Sequence, residues 1–481
     1  MLFNSLTFAI FLPIVFVLYW SLHKRDIKIQ NFLLLIASYV FYGWWDWRFL
    51  TLIFISSFVN YTIGWHLGKS SRQGIRKTLL IASLFANLGL LGFFKYFGFF
   101  LDSFARLIGL FGLHPNISTL KIILPVGISF YTFQSLSYII DIYRRQIQPT
   151  KDPLAFFAFV SFFPQLVAGP IERAKNMLPQ FQQQRSFNME QVKDGLRQIL
   201  WGLFKKMVIA DRLAPHVDYI FSNYSSLNSI VLVLGMLFFA IQIYCDFSGY
   251  SDIAIGTARL FGFRLMRNFA YPYFSRNIRE FWRRWHISLS SWFRDYVYIP
   301  LGGRHRSKSR YIWNILVTFI ISGFWHGANW TFIAWGGLHG IYYIIYFFLT
   351  KKKEIHSNTA TGGYLLPSLQ ELSQMTGTFI MVSFAWIFFR ADSFRHAVGF
   401  IKHMFVYNLF VVPGNFLNWY GMACAIVVFL FATEWVQRAK EHVLQIELLP
   451  AWTRWTIYYS LIALIILFRR KEYVPFIYFQ F

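Results

Sequence analysis

Residues 230–244 read IVLVLGMLFFAIQIY, a run in which only Gln242 is strongly polar. A helix that crosses the hydrocarbon core of a bilayer needs about 20 predominantly apolar residues. Four other windows are apolar over most of that length: Leu6 to Trp20, Leu79 to Tyr96, Tyr311 to Trp325 and Tyr458 to Phe468. These runs do not alternate apolar and polar residues, as the strands of a membrane barrel do. The pattern predicts an all-α protein that crosses a membrane many times.

The composition of the whole chain supports this prediction. Of 481 residues, 56% are hydrophobic and 14% are charged, whereas about a quarter of an ordinary soluble domain is charged. Basic clusters divide the apolar windows, so we expect about 10 to 12 crossings with additional re-entrant and interfacial helices. The longest polar intervals, 176–198 and 351–374, are too short for a separate soluble domain. We expect one membrane-embedded domain over residues 1–481.

The charge balance is strongly basic, with 46 Lys and Arg residues against 21 Asp and Glu residues. In membrane proteins, Lys and Arg gather in loops on the cytoplasmic side, so this excess predicts no nucleic-acid partner. The cluster Lys24 to Lys28 indicates an external N-terminus, and Arg469 to Lys471 indicates a cytoplasmic C-terminus. We expect a multi-pass protein of the cell (inner) membrane, with lipid as its surroundings.

Residues 275–297 carry a different pattern. Apolar residues recur there at spacings of three and four, and basic residues follow another face. The apolar positions are Ile278, Trp282, Trp285, Leu289, Trp292 and Phe293. This predicts one amphipathic helix on the cytoplasmic side, which either anchors at lipid headgroups or inserts into the protein.

The motifs of soluble catalysts are absent. Gly64 and Gly68 precede Lys69, but three residues separate the glycines where a phosphate loop requires four. The sequence also lacks the hydrolase elbow Gly-x-Ser-x-Gly and the zinc motif His-Glu-x-x-His. Cys245 and Cys424 have no metal-site spacing. We expect no metal and no bound cofactor.

His326 is the histidine best placed for chemistry, within the apolar run ISGFWHGANW at 321–330. An ionisable group at membrane depth is costly and usually turns toward a partner or a water-filled path. A neutral imidazole accepts a proton near neutral pH, and Gly323 and Gly327 would leave room for a substrate. A hydrogen bond that joins two helices explains the spacing as well. His339, in GGLHG, allows the same two interpretations.

Several blocks resemble a known family. They are LPVGISF at 124–130, PQLVAGPI at 164–171, DFSGYSD at 246–252, SRNIREFWRRWHISLS at 275–290 continuing to PLGG at 300–303, FWHG at 324–327 and PFIYFQF at 475–481. In this order, and over most of the chain, they resemble the membrane-bound O-acyltransferase family. The similarity is greatest to the branch of membrane subunits of bacterial alginate O-acetyltransferases.

The resemblance implies roles for two histidines. His326 matches the essential catalytic histidine of the membrane interior, and His286 matches a second active-site histidine reached from the cytoplasmic half. We expect His326 to be the general base toward an acceptor hydroxyl, and His286 to position or polarise the donor thioester. The anchor-helix interpretation explains the surroundings of His286 equally well. Asn329 would orient the ring of His326, and Asp246, with Asp252, would pair with arginines or close a tunnel.

The donor implied by the resemblance is a cytoplasmic acetyl thioester, with acetyl-CoA as co-substrate. Its phosphates would bind basic side chains of the amphipathic segment, although headgroups and water would also solvate them. These side chains are Arg279, Arg283, Arg284 and Arg294. The final acceptor would be an extracytoplasmic polysaccharide such as alginate, reached through an esterase-like acetyltransferase partner outside the cytoplasm.

Two alternatives remain open from the sequence. A related branch of the family transfers D-alanine to teichoic acid, with a carrier protein as the acyl donor. A polysaccharide or lipid transporter would also be multi-spanning, aromatic and basic, but it gives no reason for His286 and His326 to be needed together.

Overall fold

The computed structural model describes residues 1–112, 123–167, 169–304, 307–350, 366–406, 412–470 and 476–477. Over these ranges the chain consists of helices and connecting segments, without a β-strand. The predicted all-α class is confirmed. Ala168, Lys471 and most of the motif at 475–481 lie outside the described residues, so the expectations that depend on them stay predictions.

The described chain forms twenty α-helices, numbered here in chain order. The first ten are α1 Leu6–Ser21, α2 Ile27–Asp46, α3 Leu50–Lys69, α4 Gln73–Leu91, α5 Phe97–Gly109, α6 Ile128–Tyr143, α7 Pro153–Ser161, α8 Phe163–Leu166, α9 Ala174–Gln182 and α10 Met189–Phe204. The others are α11 Asp211–Ser222, α12 Ser229–Leu260, α13 Ile278–Arg284, α14 Ile287–Phe293, α15 Lys308–His326, α16 Trp330–Leu349, α17 Leu369–Arg390, α18 Phe394–Val406, α19 Phe416–Val436 and α20 Ala451–Phe468. Short 3-10 segments lie at Trp47–Phe49, Tyr224–Ser226 and Pro272–Phe274, and π-helical segments at Gly92–Tyr96, Lys205–Ala210 and Arg294–Tyr298.

The apolar windows of the sequence all fall in helices, namely α1, α4 with the π segment after it, α12, α15 and α20. By length and composition, seven stretches of the described chain can cross a membrane: Ile27–Lys69, Gln73–Gly109, Ser229–Leu260, Trp330–Leu349, Leu369–Arg390, Phe416–Val436 and Ala451–Phe468. Helix α1 is apolar but shorter. The multi-spanning character is confirmed, and crossings beyond these seven stay a prediction.

Contacts divide the chain into two compact units. The first comprises Met1–Gly195 and Ala254–Met266, and the second Leu196–Ile253 and Arg267–Phe481. In the first unit, the side-chain amides of Asn60 in α3 and Asn87 in α4 donate to each other's Oδ1 atoms at 3.1 and 2.9 Å. Such polar pairs join helices whose apolar surfaces gain little from leaving lipid.

A buried arginine completes two helix ends in the same unit. The Arg76 side chain, 3% exposed, donates to the backbone carbonyls of Leu67, Ile142 and Tyr143. These carbonyls belong to the last turns of α3 and α6, where intrahelical donors are missing. Burial of this guanidinium is therefore compensated by backbone acceptors that would otherwise be unsatisfied.

The second unit contains every candidate site residue, and its centre is a close crossing of α15 and α16. A β-carbon on Gly323 would lie 2.2 Å from the carbonyl oxygen of Phe332, and one on Gly336 would lie 2.3 Å from that of Phe319. A β-carbon on Gly327 would meet the Phe332 ring at 2.1 Å. The expectation that Gly323 and Gly327 leave space for a substrate is therefore wrong, because helix α16 fills that space. The glycines instead fix the end of α15 beside the start of α16.

The single amphipathic helix expected over 275–297 is also wrong. Helix α13 ends at Arg284, Trp285 is extended, and His286 has φ 43° and ψ 54°, in the left-handed region. Helix α14 begins only at Ile287, whose N–H donates to the backbone oxygen of Asn268 at 2.9 Å. This bond holds the chain away from a helical path, and neither Gly nor Pro marks the break. The expected partition of faces remains, since the apolar side chains are largely buried and Arg283 and Arg294 are exposed.

Candidate active site

His326 is the last residue of α15, and it is 3% exposed. Aromatic rings surround its imidazole: the ring centroids of Trp325, Trp335 and Phe389 lie 5.0, 5.1 and 5.4 Å away. The Trp335 plane is nearly perpendicular to the imidazole, at 87°. A proton acceptor at this helix end is therefore enclosed by apolar rings that keep bulk water away.

His286 occupies the break between α13 and α14. For a residue with a β-carbon, the left-handed conformation costs roughly 1 to 2 kcal/mol, so the surrounding structure must impose it. Asn268 does so twice, through its backbone oxygen to Ile287 and through Oδ1, which lies 3.1 Å from His286 Nδ1. The edge of Phe247 contacts the imidazole at a centroid distance of 4.6 Å.

The hydrogen bonds at Asn268 fix which nitrogen of His286 is basic. Ser288 donates its backbone N–H and its hydroxyl to Asn268 Oδ1, at 3.3 and 2.9 Å. This atom is thus an acceptor, so Nδ1 of His286 must carry the proton. Burial lowers the pKa of His286 to about 3, and the imidazole is neutral at neutral pH.

The remaining nitrogen of His286, Nε2, holds the lone pair and is buried. Among the described residues it has no hydrogen-bond partner. A neutral imidazole in this tautomer accepts at Nε2 and does not donate there. The geometry therefore supports a positioning role that accepts a proton or hydrogen bond, and it does not support polarisation of a carbonyl by donation.

The two histidines are 40 positions apart in sequence but close in space. Their ring centroids lie 6.5 Å apart, with the planes at 58°. One reacting group can therefore contact both. His339 joins the cluster through Trp335, whose ring lies 4.9 Å from it and 5.1 Å from His326. His339 is fully buried, and neither of its ring nitrogens has a hydrogen-bond partner within the described ranges.

A cavity of about 410 Å³ lies beside this cluster. Its lining includes Ile287, which follows His286 directly, and Ser322, which precedes His326 by one helical turn. Trp282 also lines it, at 5.8 Å from Trp335 between centroids. The volume falls in the range of small-molecule sites, which is about 300 to 1,000 Å³.

Three of the four arginines proposed for donor binding line this cavity: Arg279, Arg283 and Arg294. Arg283 and Arg294 are exposed, and Arg294 pairs with Asp295 at 2.8 Å. Arg284 is not part of the lining; it pairs with Glu280 at 2.6 Å and both side chains are mostly buried. The structure therefore brings three guanidinium groups to the cavity and engages the fourth within the protein.

Asn329 does not orient His326. Helix α15 ends at His326, so Asn329 is not one turn further along the same helix. Its Oδ1 accepts from the Thr331 N–H at 3.1 Å, which caps α16, and its amide nitrogen donates to the Asp392 carbonyl at 3.2 Å. Both ends of the amide are engaged in capping and loop contacts, and the expected role is wrong.

Asp246 pairs with lysine rather than arginine. Lys206 lies 2.7 Å from Asp246 and 2.8 Å from Asp211, and Lys205 lies 2.6 Å from Asp252. We call these five residues the ionic cluster. Both lysines are at most 3% exposed, so this basic pair lies in the protein interior and not in a loop at the surface. The Ile477 N–H also donates to Asp246, at 2.7 Å.

Sequence reasoning missed Asn268 and Trp335. Asn268 lies 18 residues before His286 in a segment without regular structure, and its sequence carries no signal for this contact. Trp335 had a weak signal, since it is four residues before His339 and therefore shares a helix face with it. In an apolar run, however, a tryptophan is indistinguishable from packing residues.

The sequence matches a known family model and several named relatives. Residues 32–387 match the model of the membrane-bound O-acyltransferase family. The chain is 41% identical over 410 residues to a probable alginate O-acetylase AlgI of Pseudomonas aeruginosa, covering 85% of this chain and 75% of that protein. It is 37% identical over 433 residues to a peptidoglycan O-acetyltransferase of Helicobacter pylori, covering 84% and 80%. A teichoic acid D-alanyltransferase of Streptococcus thermophilus is 30% identical over 286 residues, covering 55% and 68%.

The family match covers more than half of the chain, and it includes both histidines and the cavity-lining arginines. The order of motifs in the sequence and the helical membrane fold agree with this match. The chain belongs to the membrane-bound O-acyltransferase family, and it is a multi-pass membrane acyltransferase.

Proposed function

We propose that the protein moves an acetyl group from a cytoplasmic thioester, acetyl-CoA, to the hydroxyl of an extracytoplasmic polysaccharide such as alginate. The observation that carries this proposal is the pair of buried histidines 6.5 Å apart beside an arginine-lined cavity. The names of the relatives with high coverage, an alginate O-acetylase and a peptidoglycan O-acetyltransferase, support acetyl as the group and a polysaccharide as the acceptor.

The cavity suits the phosphates of the donor in charge. Arg279, Arg283 and Arg294 can bind the phosphates of acetyl-CoA, because a planar guanidinium donates two parallel hydrogen bonds to one phosphate. The acyl end would then point toward Ile287 and Ser322, which lie next to the two histidines. Since basic residues collect on the cytoplasmic side, the arginines also support entry of the donor from that side.

In the proposed reaction, the acceptor hydroxyl oxygen attacks the carbonyl carbon of the thioester while His326 takes the hydroxyl proton. A C–O bond forms, and the electron pair of the carbonyl π bond moves onto oxygen. When the intermediate collapses, the C–S bond breaks and the thiolate leaves with the proton held by the imidazole. His286 accepts a hydrogen bond at Nε2 and so holds the departing thiol once the imidazolium of His326 has protonated it.

Two partners follow from this proposal. The polar segments of the chain are short, so a polymer would be held by another protein, an esterase-like acetyltransferase on the outer side of the cell (inner) membrane. With the donor entering from the cytoplasm, the N-terminus is external and the C-terminus is cytoplasmic. The aromatic rings around His326 support transfer inside the membrane, because the exclusion of water protects the thioester from hydrolysis.

The test uses the native host with its gene deleted and restored. Envelope polysaccharide from each strain is treated with alkali, and released acetate and D-alanine are measured. We expect acetate to disappear on deletion, to return with the wild-type gene and not to return with His326→Ala. His216→Ala is the matched control, a half-buried histidine packed beside Phe238 and Tyr420, and it should restore acetate.

A second arm uses the purified full-length protein in detergent with acetyl-CoA labelled in the acetyl group and an alginate oligosaccharide as acceptor. Release of free CoA by the wild type, and its loss in His326→Ala, would support the donor. Loss of D-alanine instead of acetate on deletion would assign the chain to teichoic acid D-alanylation. Unchanged acetate on deletion, together with intact acetyl-CoA in the purified assay, would overturn the proposal.

A further inference from the structure

Trp335 has a buried hydrogen-bond donor without an acceptor. The residue is fully buried, and within the described chain its indole Nε1 has no hydrogen-bond partner. A buried tryptophan N–H usually finds an acceptor, and an unsatisfied buried polar group in a native protein calls for an explanation. A carbonyl oxygen of a substrate is one group that can supply the acceptor.

The position of Trp335 favours the substrate. Its ring lies 5.1 Å from His326 and 4.9 Å from His339, and it stacks on Trp386 at 5.3 Å with 24° between the planes. The close crossing at Gly323 and Gly336 fixes its helix against that of His326. The indole is thus held rigidly next to the proposed base, as a preorganised catalytic donor must be.

Neither histidine of the proposed reaction can donate a hydrogen bond to the carbonyl oxygen. Negative charge develops there when the acceptor hydroxyl attacks, and such sites supply N–H groups to stabilise it. His286 cannot serve, because its single N–H is engaged by Asn268. His326 cannot serve at that moment either, because it is receiving the hydroxyl proton.

We propose that the Trp335 indole N–H donates a hydrogen bond to the acyl carbonyl oxygen as it becomes negatively charged. This inference rests on the proposed function. The electron pair that moves onto oxygen during attack is stabilised by the N–H, and it re-forms the C=O bond when the C–S bond breaks. Trp335 neither gains nor loses a proton, so its contribution is a hydrogen bond that strengthens in the transition state.

The test compares two tryptophan variants of the full-length protein in detergent. Trp335→Phe keeps an aromatic ring and removes the N–H. Trp386→Phe makes the same change in the stacked neighbour, which is equally buried and whose Nε1 is likewise unpaired among the described residues. Both are assayed by CoA release from acetyl-CoA with an alginate oligosaccharide as acceptor, and kcat and KM are measured separately.

We expect Trp335→Phe to lower kcat by about a hundredfold or more, the usual effect of removing one oxyanion donor, with KM nearly unchanged. Trp386→Phe should stay close to the wild type. An equal loss of kcat in both variants would assign the effect to packing and overturn the inference. So would an unchanged kcat in Trp335→Phe.

Two further measurements separate the possible failures. If Trp335→Phe does not fold, benzothienylalanine at position 335 keeps the bicyclic ring and places sulfur where the N–H was. A lowered kcat in that variant would support the role of the N–H, and an unchanged kcat would overturn it. His326→Ala is measured in parallel. Activity retained by His326→Ala would sink the proposed function itself, whereas an inactive His326→Ala with a fully active Trp335→Phe would sink only the role of Trp335.

Discussion

Two buried clusters of the second unit, the ionic cluster and the three histidines His286, His326 and His339, differ in how many of their polar atoms have a partner. In the ionic cluster, each lysine faces carboxylates at 2.6 to 2.8 Å, and Lys205 also donates to Ser248 at 2.8 Å. Around His286, His326 and His339 the neighbours are mainly aromatic rings. Nε2 of His286, both nitrogens of His339 and Nε1 of Trp335 have no partner within the described ranges.

This difference distinguishes polar atoms that stabilise the fold from polar atoms that can bind a substrate. A buried charge requires a partner at all times, and the two lysines of the cluster give each of its three carboxylates a partner without a ligand. A buried donor or acceptor without a partner lowers the stability of the folded protein, and a ligand that supplies the partner removes this penalty. We therefore assign the ionic cluster to holding helices together. We call His286, His326 and His339 the histidine site, and under the proposed function we expect its polar atoms to meet a substrate.

The largest expected effect comes from breaking the ionic cluster. Lys206→Met leaves Asp211 and Asp246 buried without their shared cation, and removal of one partner of a buried pair costs about 3 to 5 kcal/mol. We expect the free energy of unfolding, measured by titration of the detergent-solubilised protein with a denaturing detergent, to fall by that amount.

The histidine site provides the control for that measurement. The imidazole of His339 contacts the rings of Phe281, Trp282 and Trp335, and neither of its nitrogens has a hydrogen-bond partner among the described residues. His339→Phe should therefore lower the same free energy far less. If both variants lost equal stability, the contrast between satisfied and unsatisfied groups would not hold.

The second effect concerns activity at the backbone break. Asn tolerates the left-handed conformation better than most residues, so His286→Asn should keep the fold while it removes the basic Nε2. We expect the rate of CoA release to fall by about a hundredfold or more, in line with loss of a positioned proton acceptor. His286→Ala should lose the same activity and also stability, by roughly 1 kcal/mol, because alanine is strained there.

The two variants distinguish chemistry from strain. The unfolding midpoint reports the strain, and the rate of CoA release reports the imidazole. A His286→Asn protein with wild-type activity would mean that residue 286 only shapes the chain.

How much of this the sequence predicts depends on whether the signal is local. His326 is identifiable because an ionisable side chain in an apolar run is costly wherever the run folds. The helix windows are identifiable for the same reason, since a run of about 20 apolar residues is best accommodated as a helix that crosses the membrane. The resemblance of 275–303 to the family adds His286, which the local pattern alone assigns equally to an anchor helix.

The remaining features depend on contacts between distant residues. The break at Trp285 and His286 is imposed by Asn268, and no residue within 275–297 encodes it. The glycines at 323 and 327 carry a local signal, small size, but it does not tell whether a substrate or a helix fills the space. Lys206 likewise reads as a loop residue until Asp211 and Asp246 are placed beside it.

The third effect is a dependence of the free energy of unfolding on pH, which we expect from the burial of His286. The pKa of His286 is lowered by burial to about 3, from an ordinary value of 6.5. Between these values the unfolded chain binds a proton that the folded protein does not, so stability falls as the pH is lowered through 6.5 toward 3. At pH 5 this single group should cost about 2 kcal/mol, at 1.36 kcal/mol per pKa unit.

The measurement is the free energy of unfolding at pH 7 and at pH 5, for the wild type and His286→Asn. The variant lacks the titrating group, so its loss between the two pH values should be smaller by about 2 kcal/mol. Equal losses in both proteins would contradict a buried neutral imidazole at this position.

The smallest expected effect is on the KM for acetyl-CoA, from the arginines that line the cavity beside the histidines. Arg279→Gln and Arg283→Gln each remove one guanidinium from the cavity lining and leave the histidines in place. A hydrogen bond to a charged group contributes about 1.5 kcal/mol, so each variant should raise the KM for acetyl-CoA about tenfold with kcat unchanged. Lys193→Gln is the control, an exposed lysine of the first unit that pairs with Glu190. If KM stayed constant in both arginine variants, these side chains would be solvated by headgroups and water, and the phosphates of the donor would have to bind elsewhere.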